Sequence, residues 1–406
     1  MSEPNTRRVA VTGLGVVSSV GIGVEPFTES IKAGRSGISP ISSFDASGYD
    51  KRNAGEVKDF DPGAILERLD PEDWGRSGQF AASAARLAVR DAGIDPELLS
   101  ASATGSAMGT ASGEPRVMYG IAEQWSRTGG DEFGPGPVGS APANRLAGAV
   151  NSELGLTGEA VTFGTACSAS NYTLGYGYDL VRTGEADFFL AGGADSVSRY
   201  THLGFSLIGI ISEILRPFDS KRSGIVTAEG GVCLLLEPLE HAVARGARIY
   251  AEMLGYGVNC DAKHMTQPDV PTITSCIQAA HTSAGVKPQE IDYICAHGTG
   301  TPASDAAEVA AARAVFGDDV PPISSIKSML GHTMGAASGL GAVICCKALE
   351  EGFLPPTATL RETDPELGPG IDFVPGVAKP ANLNIVENHG FAFGGNNAIT
   401  VFGRVK

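Results

Sequence analysis

Short apolar runs of strand-like composition alternate along this chain with stretches of helical periodicity, and that alternation leaves few folds open. Residues 9–17 (VAVTGLGVV) read as a strand, residues 79–91 as a helix stopped by Gly93, and residues 105–109 as another strand. Strands separated by helical crossovers build mainly parallel sheets, so an α/β chain is expected. The second half echoes the first: residues 249–258 (IYAEMLGYGV) read like 9–17, and residues 291–298 stand where 103–109 stand. Similarity over so long a period implies a duplicated α/β unit, with halves 1–240 and 241–406. No Pro- or Ser-rich linker parts the halves near residue 240, so they are expected to pack as one body.

Charge removes one class of function. Lys and Arg number 30 against 46 Asp and Glu, a formal charge of −16. Phosphate affinity needs clustered positive charge, so no nucleic-acid partner is expected. The 54 glycines in 406 residues follow no G-X-Y period. They point to tight turns and close backbone approaches. Arg7 and Arg8 are not followed by the apolar core of a secretory signal, and the apolar stretch 339–346 ends at Lys347. That is well short of the roughly 20 residues a bilayer requires, so no membrane association is expected. Seven scattered cysteines with no C-x-x-C pair favour a reduced, cytoplasmic chain without a metal site. Residues 110–145, rich in glycine, read as an excursion that caps a site or forms an interface, or else as an irregular surface loop.

Several motifs carry possible chemistry. Thr12-Gly13-Leu14-Gly15 resembles the opening of a dinucleotide fingerprint, but Ser18 holds the third glycine position and no acid lies near 32–36. A strand-to-helix turn needing positive φ is the better reading. Cys167 follows a strand-like run and precedes a helical pattern through Leu174, Tyr178 and Val181. At the positive end of a helix dipole its thiol pKa would fall, favouring a nucleophilic thiolate; a buried structural cysteine is the alternative. His297 and His332 each follow a strand among glycines, where open α/β sheets build their sites. With Cys167 and Lys327 they make up the inventory of a thioester acyl-transfer site. Asp305 and Glu308 have the spacing of a capping box. In residues 388–397, glycines after an aromatic leave a bare amide that could face a reacting oxygen, or form a tight turn before a final strand at 398–405.

These motifs have a familiar order. T-A-C-S-A-S at 165–170, R-P-F-D at 216–219, A-E-G-G at 228–231, H-G-T-G-T at 297–301, K-S-M-L-G-H at 327–332 and G-F-A-F-G-G-N-N at 390–397 resemble those of the β-ketoacyl-ACP synthases. These are condensing enzymes of the thiolase superfamily. The resemblance implies a five-layered αβαβα fold and a decarboxylative Claisen condensation of malonyl-ACP with an acyl chain held on Cys167. His297 and His332 would hold the malonyl thioester carbonyl, and Lys327 with Glu308 would orient the site. The amides of Cys167 and Phe393 would form the oxyanion hole, with Phe393 also a gate. Thr299, Thr301 and Phe391 would bind substrate, the two threonines through the phosphopantetheine arm of the acyl carrier protein. No other cofactor is implied. The late Gly394-Gly395-Asn396 lacks the second cysteine of degradative thiolases.

Departures from the family pattern sharpen the expectation. Gly341 stands where a glutamate is usual, and Glu72, Asp73 and Trp74 interrupt a usually basic segment in which Arg76 is kept. Lys221, Arg222, Arg245 and Arg248 are possible substitutes for docking the acidic carrier. Ser112 replaces a bulky residue that limits the acyl pocket. The chain therefore most resembles the ketosynthase subunit of a type II polyketide synthase, a heterodimer with a chain-length-factor subunit. The alternative is a homodimeric synthase of fatty-acid biosynthesis; a non-catalytic chain-length factor usually lacks the cysteine found at 167.

Overall fold

In the computed structural model, which describes residues 6–129 and 135–405, the strands of the two parts of the chain follow one plan. The first part contributes β1 (Val9–Ser18), β2 (Thr104–Gly109), β3 (Ala160–Phe163), β4 (Phe188–Asp195) and β5 (Gly230–Pro238). The second contributes β6 (Ala251–Cys260), β7 (Tyr293–Cys295), β8 (Ile323–Ser324), β9 (Ile385–Phe391) and β10 (Asn396–Gly403). Across the sheet they run β3-β2-β4-β5-β1, then β6-β10-β9-β7-β8. In the first set β2 lies parallel to β3 and β4, and the pairs β4–β5 and β5–β1 are antiparallel. In the second, β7 lies parallel to β8 and β9, while β9–β10 and β10–β6 are antiparallel. Strands β6–β10 thus retrace the order and sense of β1–β5. The sheet is mixed rather than mainly parallel, and one cause is plain at β9–β10: the tight turn Phe393–Gly395 joins them, too short for a crossover.

The two sets are continuous, because β1 meets β6 antiparallel over Val9–Val11 and Ala251–Met253. Helices α1 (Arg76–Asp91), α2 (Pro115–Thr128), α3 (Arg145–Leu154), α4 (Ala169–Thr183), α5 (Arg199–Leu207), α6 (Val270–Ala284), α7 (Pro302–Phe316) and α8 (Ala337–Glu351) surround and divide it. α1 and α3 cover the outer face of β1–β5, α6 and α7 that of β6–β10, and α4 and α8 pack between the two sets of strands. This makes five layers. The middle layer needs a helix apolar on every side, and α8 is buried without a break from Ala337 to Leu349. Among the described residues no helix is long and apolar enough to cross a membrane.

Gly13 and Gly15 serve neither a nucleotide nor a turn. Both lie inside β1 beneath α1, where a Cβ would stand 2.2 Å from the Ala88 carbonyl oxygen and 1.8 Å from that of Ala84. They are glycine so that a helix backbone can lie directly on the strand. Most of segment 110–145 is helical, in α2 and a short helix at Pro135–Ser140, so the surface-loop alternative does not hold there. Gly130 and Gly134 fall outside the described residues. α2 packs beside α5, and the two expose Met118, Tyr119, Trp125, Tyr200, Leu203 and Leu207.

Candidate active site

Cys167 sits on a strained corner. After β3 the chain enters a single 3-10 turn, Ala166–Ser168, and α4 begins only at Ala169. Ala166 has φ of +52°, a left-handed conformation that a residue with a Cβ rarely adopts and that marks a built feature. Burial pushes the Cys167 thiol up to about 12, although the Lys327 charge and the backbone amides of Phe393 and Cys167 itself favour the thiolate. The direction is opposite to the expected lowering, because losing water costs the thiolate more than the Lys327 charge and the two amides return. The same two amides that approach the sulfur are the pair expected to receive a developing oxyanion.

A strand end delivers His297, whereas His332, expected just beyond a strand, is delivered by a short helix that intervenes after β8. His297 lies just beyond β7, in a turn where Gly298 and Gly300 take φ of +39° and +74°. His332 follows the short helix Lys327–Leu330, and its Nδ1 accepts from the Met334 amide at 3.2 Å. The ring centroids are 5.5 Å apart and nearly perpendicular. Burial pulls both well below the ordinary imidazole range, and the Lys327 charge pulls them further. Both rings are therefore neutral near pH 7. A backbone N–H only donates, so His332 carries its proton on Nε2.

Lys327 and Glu308 hold one peptide from opposite ends. Lys327 Nζ donates to the His297 carbonyl oxygen at 2.5 Å, while the Gly298 amide donates to Glu308 Oε2 and the His297 amide to Glu308 Oε1, both at 2.8 Å. The expected joint role becomes a clamp on the His297–Gly298 peptide. Nor do Asp305 and Glu308 form a capping box. Thr301 caps α7 by accepting from the Ser304 amide, Pro302 opens it, and Asp305 accepts instead from Phe218 and Gly300.

A cavity of about 330 Å³ joins these groups: Cys167, His297, Thr299, Thr301, His332, Phe391 and Phe393 all line it. The hydroxyls of Thr299 and Thr301 are 3.0 Å apart. The Phe393 ring, half-buried, lies 6.2 Å from that of Phe205, and Gly394 and Gly395 follow it at φ of +83° and +79°. Ser112 is not part of this lining; its amide donates to Asp195 Oδ1 at 3.0 Å. Lys327 and Glu308 stand behind the lining.

Sequence reasoning missed Asp195, a buried carboxylate that accepts from the Thr110 hydroxyl and the amides of Ala111, Ser112 and Gly335. It ties the loop after β2 to the turn beyond His332. Burial raises it to about 6 against the pull of those bonds. Glu387 and His389 were also missed, although their spacing held a signal: Glu387, His389 and Phe391 alternate along β9 and so share one face. The proposed substitute cations fare poorly. Arg222 pairs with Asp364, Arg245 with Glu237 and Arg248 with Glu350, as the retained Arg76 does with Glu229, while Lys221 and Arg248 are exposed. Gly341 is explained by packing, since a Cβ there would stand 2.2 Å from Asn388 Oδ1.

Known proteins resemble this chain along its whole length. Residues 6–242 match the family described as Beta-ketoacyl synthase, N-terminal domain, and residues 250–361 its C-terminal domain. The 3-oxoacyl-[acyl-carrier-protein] synthase 2 of Coxiella burnetii is 36% identical, over 98% of this chain and 99% of its own length. A solved structure titled as the ishigamide ketosynthase/chain length factor superposes with a TM-score of 0.96 at 46% identity, covering 99% of this chain and all of the other. A type II PKS ketosynthase, solved with its acyl-carrier protein and bound to the hexaketide, gives 0.90 at 30% identity over 98% of this chain and all of that one. Family matches over most of the chain, identity along its whole length and the shared fold agree: the chain belongs to the β-ketoacyl synthase family.

Proposed function

We propose that the protein is the catalytic ketosynthase subunit of a type II polyketide synthase, partnered by a chain-length-factor-like subunit and served by an acyl carrier protein in the cytoplasm. The observation that carries the catalytic reading is the convergence of Cys167, two neutral histidines and two backbone amides on one mainly apolar cavity. Similarity to the ishigamide ketosynthase/chain length factor at 46% supports the polyketide assignment over the fatty-acid one, whose curated relative stands at 36%. A purely structural chain-length factor has no use for such a nucleophile.

The chemistry follows from the groups present. Cys167 Sγ attacks the acyl-carrier thioester; the carrier thiol leaves, and the acyl chain is held on the sulfur. Because the resting group is a thiol, its proton leaves as the bond forms and ends on the departing carrier sulfur, with the Cys167 and Phe393 amides receiving the charge on the carbonyl oxygen. Malonyl carrier then enters along Thr299, Thr301 and Phe391. Loss of carbon dioxide leaves an enolate, and no base is needed to make it. Neutral imidazoles with N–H groups suit that oxygen, because they stabilise negative charge without protonating the carbon. The enolate carbon attacks the acyl carbonyl, the C–S bond to Cys167 breaks, and a 3-oxoacyl carrier two carbons longer departs. The phosphopantetheine arm is the one prosthetic group this scheme asks for. We also place the boundary between two equivalent halves at 240/241, on the strength of the repeated strand order.

Co-expression with candidate partner subunits, followed by native mass and a malonyl-carrier condensation assay with Cys167→Ala as control, tests this reading. A one-to-one heterodimer required for Cys167-dependent extension is the expected result. An active homodimer that elongates saturated acyl carriers would return the protein to fatty-acid synthesis.

A further inference from the structure

Beside the cavity-lining Phe391, whose ring lies 5.4 Å from that of His389, four buried side chains form an unbroken hydrogen-bonded row. His281 Nε2 on α6 lies 2.6 Å from Glu387 Oε2, and Glu387 Oε1 lies 2.8 Å from His389 Nε2, both of the latter on β9. His389 Nδ1 lies 2.9 Å from Glu308 Oε1 on α7, and Glu308 in turn receives the amides of His297 and Gly298. Three elements from the second part of the chain thus converge on the peptide that carries one catalytic histidine. Nothing in the scheme above uses Glu387, His389 or His281.

Each ring nitrogen of His389 faces a carboxylate oxygen, and an ionised carboxylate only accepts. With both carboxylates ionised, both nitrogens donate and the ring is an imidazolium between them. Burial alone would favour the neutral ring, but the bonds to Glu308 and Glu387 outweigh it and raise His389 to about 9. Glu387 is held down at about 2, against its own burial, by His281 and His389. The other ionisable groups acting on this row include Lys327, Asp305, His297, Cys276, Cys295 and Cys345. A neutral His389 has a single N–H and would turn a lone pair toward one carboxylate. If that carboxylate were Glu308, its grip on the His297–Gly298 peptide would be set against a repulsion in a water-poor site.

We propose that Glu387 and His389 are positioning residues for His297: Glu387 keeps His389 doubly protonated, and His389 pins Glu308 onto the His297–Gly298 peptide, opposite Lys327. The row acts on the step that uses His297, the decarboxylative condensation, and not on loading of Cys167. This assignment of the affected step rests on the ketosynthase reading; the charge state of His389 does not.

The test has two arms. In the first, nitrogen-15 histidine spectra of the whole protein near neutral pH are compared with those of His389→Gln, to assign the ring, and of Glu387→Gln. Two protonated nitrogens on His389 in the wild type, with both the His389 and His297 signals displaced in Glu387→Gln, are expected. A neutral His389, or His297 signals unmoved in Glu387→Gln, overturns the proposal. In the second arm, both variants are expected to load an acyl group on Cys167 and to keep KM for malonyl carrier within about twofold, while condensation kcat falls about tenfold or more. Unchanged kcat in folded variants overturns it, as does an equal loss in loading. If the wild type condenses nothing, the ketosynthase reading fails and the spectra still decide the charge and its coupling to His297. If His389→Gln does not fold, Glu387→Gln and the wild-type spectra carry the decision.

Discussion

The Met334 amide donates to Nδ1 of His332 across 3.2 Å, so the single proton of that neutral imidazole sits on Nε2 and is the one left to serve the cavity. Removing this donor by His332→Ala is expected to cost about 10²–10³ in condensation rate, the usual toll for one oxyanion donor. Transfer of an acyl group to Cys167 should persist. Separate assays of self-acylation and of carbon dioxide release check the split; equal loss in both would remove His332 from the second step.

The Cys167 thiol, pushed up to about 12 by burial, should not behave as a standing thiolate. Its alkylation by iodoacetamide is expected to be slow near neutral pH and to keep rising through pH ~10, with no plateau in the range where low-pKa active-site thiols titrate. A plateau below pH ~8 would show that the thiolate is stabilised more strongly than burial opposes it.

Asp195 receives four donors on two oxygens, from Thr110, Ala111, Ser112 and Gly335. Asp195→Asn is nearly isosteric, but its amide group would face two of those donors and leave them unpaired. A loss of about 2–3 kcal/mol in folding free energy is expected, measured by urea denaturation. Loss of the tie between the loop after β2 and Gly335 should also slow condensation.

Gly15 lies where a Cβ would reach 1.8 Å from the Ala84 carbonyl oxygen. Gly15→Ala should lift α1 from β1 and cost about 1–3 kcal/mol, the range for overpacking a close contact. The urea midpoint reports it, and a midpoint equal to wild type would mean that α1 shifts freely.

His389 binds its proton more tightly folded than unfolded, since its folded pKa is about 9 against an ordinary value near 6.5. Its contribution to stability is therefore fully present below about 6.5 and is lost as pH rises through about 9. The stability gap between wild type and His389→Gln should narrow across that window. Glu387, held at about 2, has the opposite sign: its contribution is present above its ordinary value and disappears as pH falls through about 2.

Much of the site was legible in the sequence because Cys167 and His297 stand just beyond strand ends punctuated by small residues, and His332 lies in a glycine-marked turn after a short helix. Cys167 follows β3, and His297 follows β7 with Gly298 and Gly300 bending the chain behind it. Such positions depend on a few neighbouring residues, so a local pattern is enough to expose them. The repeat was visible for the same reason, in the apolar runs that became β1 and β6. Where local pattern misled, a partner from elsewhere decided the outcome. Gly13 and Gly15 looked like a turn because nothing nearby in sequence announces the α1 backbone lying over them. Asp305 and Glu308 looked like a cap until the turn 297–300 came round to claim their oxygens.

The alternation of strands and helices along the chain, the place of Cys167 and His297 beyond strands and the turn around Phe393 were determined by the sequence alone, because spacing along a strand or helix is a local property. The protonation of Cys167, His297, His332 and His389 was decided by tertiary structure, because it depends on how much water is excluded and which charges are brought within reach. The row from His281 to Glu308 belongs to that second class as well: α6, α7 and β9 become neighbours only when the sheet and its outer helices close around them.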